Sequence, residues 1–168
     1  FNHLRISFNV IYVADPFFSI VPGIALVMLL LLKQKNKKRH YWWKFCLAIS
    51  FFYLCYAVTN KIIINRDVQQ ALAKQEIKYT RYVTTPAPLQ NWLWFVVAGN
   101  DSGYHAGYRS VFDKSAEMQL RYFPRNTFLL DSLPAEKKIA AEKLIRFSKQ
   151  FYTVEKKQDT LIFNDLRF

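Results

Sequence analysis

The sequence is poor in the residues that most often carry recognisable chemistry. Its 168 residues include four glycines, three histidines, two cysteines and twelve acidic side chains. So few glycines leave no Gly-rich loop to cradle a phosphate, and Ser102 and Ser110 stand in no nucleophile-elbow context. His3, His40 and His105 are dispersed, with no HExxH, HxH or HxxxD spacing, so they define no metal site. His105 reads instead as a partly exposed histidine on a strand. Cys46 and Cys55 lie on one presumed helix and are about 13 Å apart along its axis, beyond the ~7 Å reach of a disulfide. They read as small apolar filling. Acidic residues are scarcest at the start, where Asp15 is the only one before Asp67.

The net charge of +12 calls for an anionic partner only if the basic residues form a stripe. They do not. Residues 1–60 hold seven Lys and Arg against Asp15, and five of the seven lie within 33–40. In 61–168, 17 basic and 11 acidic side chains are interspersed. No surface that would track a phosphate backbone emerges, so nucleic acid is not an expected partner.

What the chain has in quantity is apolar sequence in two blocks, 17 uncharged residues over 16–32 and 16 over 45–60. A bilayer core of about 30 Å needs about 20 apolar residues. The first block meets this over about 10–32 if Asp15 lies at the interface, with Asp15-Pro16 as a capped helix opening. Pro22-Gly23 should bend that helix, either as a packing kink or as one wall of a polar cavity shared with Asp15. The second block spans about 41–60, with Tyr41, Trp42 and Trp43 as an interfacial belt and Lys44 snorkelling to the same surface. Lys33, Lys35, Lys37, Lys38 and Arg39 crowd the turn between them, which places that turn in the cytoplasm and the later residues outside. Residues 1–60 thus read as a two-helix transmembrane hairpin, and the lipid bilayer is the first expected partner. No Gly or Pro occurs between Ile24 and Thr85, so the second helix should run on to about Glu76, with 61–78 as an amphipathic stalk carrying Ile64, Val68 and Leu72.

Residues 79–168 change to β-rich runs: 79–84, 92–98, 104–112 and 117–123, an antiparallel meander broken by short polar turns. Met118, Leu120 and Tyr122 alternate with polar neighbours, giving one buried face. A helix over about 134–150 is expected, capped by Ser132, with Ala140, Leu144, Phe147 and Phe151 as its apolar stripe. A last hairpin, 152–156 with 160–164, crosses Lys157-Gln158-Asp159, and Asn164-Asp165-Leu166-Arg167 reads as a capped turn with a local ion pair. The fold class is α+β: a two-helix hairpin followed by a small antiparallel-sheet domain with one helix. The chain opens at Phe1 with no charged region ahead of an apolar one, so it reads as part of something longer rather than as a signal peptide.

Four stretches carry a resemblance. They are Phe8-Asn9-Val10-Ile11-Tyr12-Val13-Ala14-Asp15-Pro16, the basic turn with Asn60-Lys61 after it, Tyr82-Val83-Thr84-Thr85-Pro86-Ala87-Pro88-Leu89-Gln90-Asn91-Trp92-Leu93-Trp94, and Phe163-Asn164-Asp165-Leu166-Arg167-Phe168. Along nearly its whole length the chain resembles the bacterial LexA-regulated, inner-membrane, predicted metal-dependent hydrolases. The resemblance implies the carboxy-terminal portion of a multi-pass inner-membrane hydrolase with a periplasmic domain. It also implies a divalent metal, zinc first, held by histidine and aspartate motifs in an upstream membrane segment that would be a partner of this part. Those motifs are not in this sequence. Asp15 is the candidate site residue, either an ordinary helix cap or a supporting group at the family's metal site. The alternative function is a non-catalytic membrane-anchored binding domain whose Tyr79, Tyr82, Trp92, Trp94, Tyr104 and Tyr108 recognise an envelope partner.

Overall fold

Asp15 sets the start of the first helix. In a computed structural model, which describes residues 9–33, 36–115, 117–158 and 160–167, α1 spans Pro16–Leu31. His3, Phe8, Lys35, Asp159 and Phe168 of the sequence reading lie outside the described residues. The Asp15 Oδ1 accepts from the backbone N–H groups of Phe17 and Phe18 at 2.9 and 3.2 Å, and Pro16 occupies a position that needs no donor. The helix therefore begins at Pro16 and not near residue 10, since a capping carboxylate followed by proline fixes the boundary. Pro22 lies within it and deprives the Phe18 carbonyl of its helical donor.

The second helix, α2, runs without interruption over Lys38–Lys74, 37 residues that include the expected second span and the stalk. It starts three residues before Tyr41, and just ahead of it the Asn36 side chain accepts from the Lys38 N–H at 2.9 Å. α2 carries a stretch long and apolar enough to cross a membrane, and only 17% of that stretch is buried, unlike the core helix of a water-soluble protein. α1, with 16 residues, is its shorter apolar neighbour. The two run antiparallel and are pinned at both ends. Tyr53 donates its hydroxyl to Asp15 Oδ2 at 2.6 Å, and Arg39 reaches back to the carbonyls of Leu29 and Leu32, the latter at 2.7 Å. That guanidinium satisfies orphan carbonyls at the negative end of α1.

Beyond the hairpin lie β1 (Arg81–Pro86), β2 (Leu93–Gly99), β3 (Gly103–Ser110) and β4 (Arg121–Pro124), paired antiparallel in sequence order. One face of this meander packs on the last third of α2, where Ile64, Val68, Ala71 and Leu72 bury against Trp94, Val96 and Ala98. The four-residue spacing read along 64–72 is therefore the helical half of the domain's main core. Arg109, buried on β3, ties the two layers by reaching Asp67 on α2 at 3.2 Å, and it also lies 3.9 Å from Asp113 just beyond the strand.

The fourth strand is shorter than 117–123. Pairing with β3 begins only at Ala106↔Arg121, and the preceding backbone is held by side chains: Gln75 donates to the Met118 carbonyl at 2.7 Å, and Arg109 to that of Glu117. Met118 enters the core beside α2, which draws residues 117–120 off the ladder.

The other sheet face, with Val97, Tyr104 and Ala106, is partly covered by Phe151 and by a second sheet of β5 (Tyr152–Lys157) and β6 (Thr160–Asp165). Between the sheets lie a 3-10 turn, Thr127–Ser132, and α3, Ala135–Phe147. Ser132 does not cap α3. Leu133 is extended before Pro134, so the helix starts after the proline, and the Ser132 hydroxyl instead donates to the Leu129 carbonyl at 2.8 Å. The stripe of Ala140, Leu144 and Phe147 also faces outward, Phe147 being 60% exposed, while Ala141 and Ser148 turn inward. Arg167 lies over the Phe147 ring at 5.1 Å and pairs with Asp165 at 2.6 Å.

The two helical stripes should respond differently to truncation. Leu72→Ala should cost about 2–5 kcal/mol, whereas Leu144→Ala should stay within about 0.5 kcal/mol. Denaturant unfolding of the full chain in detergent measures both. Equal losses would contradict the assignment of the core to the α2 side.

Candidate functional site

The polar residues of the hairpin and the sheet meet where α1 begins. Asn91, fully buried just before β2, is the centre. Asn60 on α2 donates its amide to the Asn91 main-chain carbonyl at 2.9 Å and to its side-chain oxygen at 3.1 Å. The Asn91 amide in turn donates to the Val10 carbonyl at 2.6 Å, and the Trp94 indole donates to the Asn91 carbonyl at 3.1 Å. Trp92, the next residue, meets Phe17 edge-on at a centroid distance of 5.5 Å. One buried amide thus joins the approach to α1, the middle of α2 and the start of β2.

One residue further along α2, beyond the uncharged run, Lys61 lies under the sheet. Its ammonium donates to the Thr84 carbonyl and hydroxyl oxygens and sits 5.1 Å from the centroid of the Trp94 ring. The Thr84 hydroxyl in turn donates a hydrogen bond to Asn65 Oδ1 at 2.8 Å. All these partners are neutral, and no carboxylate pairs with Lys61 among the described residues. Burial pushes the Lys61 amine down to about 8, because water no longer solvates its charge.

Asp15 is 1% exposed and both of its oxygens are engaged, Oδ1 by two backbone N–H groups and Oδ2 by Tyr53. Three of the roughly four acceptor sites of this carboxylate are taken by hydrogen-bond donors, which accounts for Asp15 as a helix cap and clamp. Among the described residues no group of three or more His, Cys, Asp or Glu side chains could hold a metal ion. His40 is in the first turn of α2, where its Nδ1 accepts from Trp43, and His105 is on β3 against Tyr122. Burial pushes the His105 imidazole below its ordinary range, and its Nδ1 has no partner among the described residues. The described residues therefore bring no set of metal ligands together.

The six aromatic residues considered as a platform do not share a surface. Tyr82 and Trp94 pack on the α2 side, Tyr104 is buried on the other face, and Tyr108 beside Phe95 is exposed. That second face does carry an open groove of about 730 Å³, lined chiefly by Phe95, Tyr108, Leu120, Arg121, Phe123 and Leu166. The notch beside Pro22 is apolar, formed by Ile20, Gly23, Ile24, Val27 and Met28, so the kink lines no polar cavity there.

Asn60 and Asn91 stand in the stretches that carry the resemblance, yet nothing in their spacing marked them as partners. Tyr53 was missed altogether. Its signal was available: a hydroxyl inside an uncharged run needs an acceptor, and Asp15 is the only carboxylate before Asp67.

The state of Lys61 has a measurable consequence. A folded chain that releases this proton near 8, against the ordinary 10.5, holds fewer protons than the unfolded chain between those values. Stability should therefore rise with pH across that window and be insensitive to this group below it. Lys61→Met should flatten the rise in urea melts of the detergent-solubilised chain. An unchanged slope in the variant would contradict the assignment.

Comparison with protein families, with curated proteins and with solved structures finds no match to this chain.

Proposed function

We propose that this chain is the carboxy-terminal, membrane-anchoring part of a metal-dependent inner-membrane hydrolase of the family it resembles. The hairpin lies across the bilayer, the basic turn is cytoplasmic and the sheet domain is periplasmic. The observation that carries this reading is the convergence of three resembling stretches, which are far apart in sequence, on the Asn91 junction. Helix-entry, mid-helix and strand-entry residues that belong to one polar cluster suit a junction that must hold its shape under an adjoining catalytic segment.

In this reading the described residues of the chain bind and orient the adjoining segment. The apolar sides of α1 and α2 are uncovered, Gly23 opens a notch on α1, and buried Gln90 Oε1 beside Asn91 has no donor among the described residues. These features suit an upstream membrane segment packed against the hairpin. The metal would supply the hydrolytic chemistry from that segment, and Asp15 serves as cap and clamp for α1. The groove around Phe95, Phe123 and Arg121 favours a second reading, a non-catalytic periplasmic binding domain, because it opens away from the hairpin core.

Two measurements test these readings. With Cys46→Ala and Cys55→Ala as background, an impermeant maleimide added to intact cells should label Ser115→Cys, and should label Asn36→Cys only after permeabilisation. The reverse pattern overturns the orientation. The whole protein should bind a divalent metal stoichiometrically and keep it in Asp15→Asn, which retains a capping oxygen. Absence of metal from the whole protein favours the binding-domain reading, and loss of metal with folding intact returns Asp15 to the metal site.

A further inference from the structure

The end of the sheet that meets the hairpin carries apolar side chains a water-facing domain has no use for. Both the β1–β2 loop and the β3–β4 loop lie at this end. Its height relative to the hairpin follows from a short series of contacts. The Val111 N–H donates to the Trp92 carbonyl at 2.9 Å, and the Trp92 ring touches Phe17 in the first turn of α1. Phe18 beside it packs on Tyr53, 6.0 Å between centroids. Tyr53 precedes Asn60 on α2 by about 10 Å of helical rise. The sheet end therefore meets the hairpin at the last turns of the uncharged run 45–60, with Asn91 against Asn60 and Trp92 against Phe17. On α2 itself Ile62 and Ile63 remain exposed beyond that run, so the apolar outer surface continues upward beside the domain.

Two large side chains are held outward from the loops. Leu89 is 56% exposed and follows Pro88 with φ 64°, a turn position that favours glycine or asparagine, so leucine is retained there at a conformational cost. Phe112 is 70% exposed at the tip of a turn closed by reciprocal bonds: the Ser110 N–H donates to Asp113 Oδ2 at 2.9 Å, the Asp113 N–H to the Ser110 carbonyl at 3.1 Å, and the Phe112 N–H to the Ser110 hydroxyl at 3.2 Å. Rigid display of isolated large apolar residues at the level of a helix entry is the arrangement of a membrane-interface anchor.

We infer that the tips at Leu89 and Phe112 insert into the headgroup layer of the same bilayer the hairpin crosses, seating the sheet domain on the membrane. The occupant is lipid because Trp92, in the same loop as Leu89, meets Phe17 of the apolar hairpin, and Phe112 follows Val111, which is bonded to Trp92. This inference rests on the reading that the hairpin lies in the bilayer.

The test uses the full chain in phosphatidylcholine–phosphatidylglycerol vesicles, labelled at one cysteine with an environment-sensitive fluorophore. Leu89→Cys, Phe112→Cys and Ser102→Cys are made in the Cys46→Ala, Cys55→Ala background, and Cys55 alone serves as the bilayer reference. Lipids spin-labelled near the glycerol backbone should remove most of the emission at 89, 112 and 55 and leave 102, at the opposite end of the sheet, bright. Quenching at 55 without quenching at both 89 and 112 overturns the seat while the hairpin reading stands. Absence of quenching at 55 overturns the hairpin reading and the seat with it. Tips that are unquenched by lipid yet shielded from aqueous iodide indicate a protein occupant, which also overturns the proposal. Should a replacement disturb folding, Pro88→Cys and Lys114→Cys carry the label on the same two loops.

Discussion

One asparagine side chain holds together segments up to 81 positions apart. Asn91 receives the Asn60 amide and the Trp94 indole and gives its own amide to Val10, so the strand that starts at Leu93 is fixed to both arms of the hairpin at once. The cluster is buried, and each of these groups would be expensive to leave unpaired. Everything above the junction inherits its orientation. The β2 register places Trp94, Val96 and Ala98 over Ile64, Val68 and Leu72, and Arg109 closes the far side of the same interface through Asp67.

The start of the first helix solves a related problem. A carboxylate at the mouth of an apolar helix is costly without partners, and Asp15 finds three: two backbone donors of its own helix and the Tyr53 phenol of the neighbouring one. The same contacts that cap α1 also set its height on α2, and Arg39 does the equivalent at the other end by reaching the last carbonyls of α1. The position of the sheet domain relative to the apolar helices follows from these pins rather than from a flexible linker, because α2 continues unbroken from one into the other.

Much of this was legible from local chemistry. Asp15-Pro16 announces a helix start, the stretch without Gly or Pro announces one long α2, and the spacing of Ile64, Val68 and Leu72 announces a buried stripe. The strand order followed from short polar turns. The failures have physical causes. In α3 apolar residues lie on more than one side, and the small Ala141 and Ser148, rather than the large Leu144 and Phe147, meet the rest of the domain. Around Met118 the alternation suggested a strand, but a core position beside α2 and donors from Gln75 and Arg109 hold those residues off the ladder. The junction was the least legible part, since Asn60 and Asn91 pair across 31 positions without any local pattern.

Hairpin and domain act as one unit through the Asn60–Asn91 contact. A double-mutant cycle on unfolding of the full chain in lipid, using Asn60→Ala, Asn91→Ala and the pair, measures that coupling directly. An interaction energy within about 0.5–3 kcal/mol is expected, as for buried residues in one hydrogen-bond network. Additive losses, or separate transitions for the helices and the sheet already in the unsubstituted chain, would contradict it.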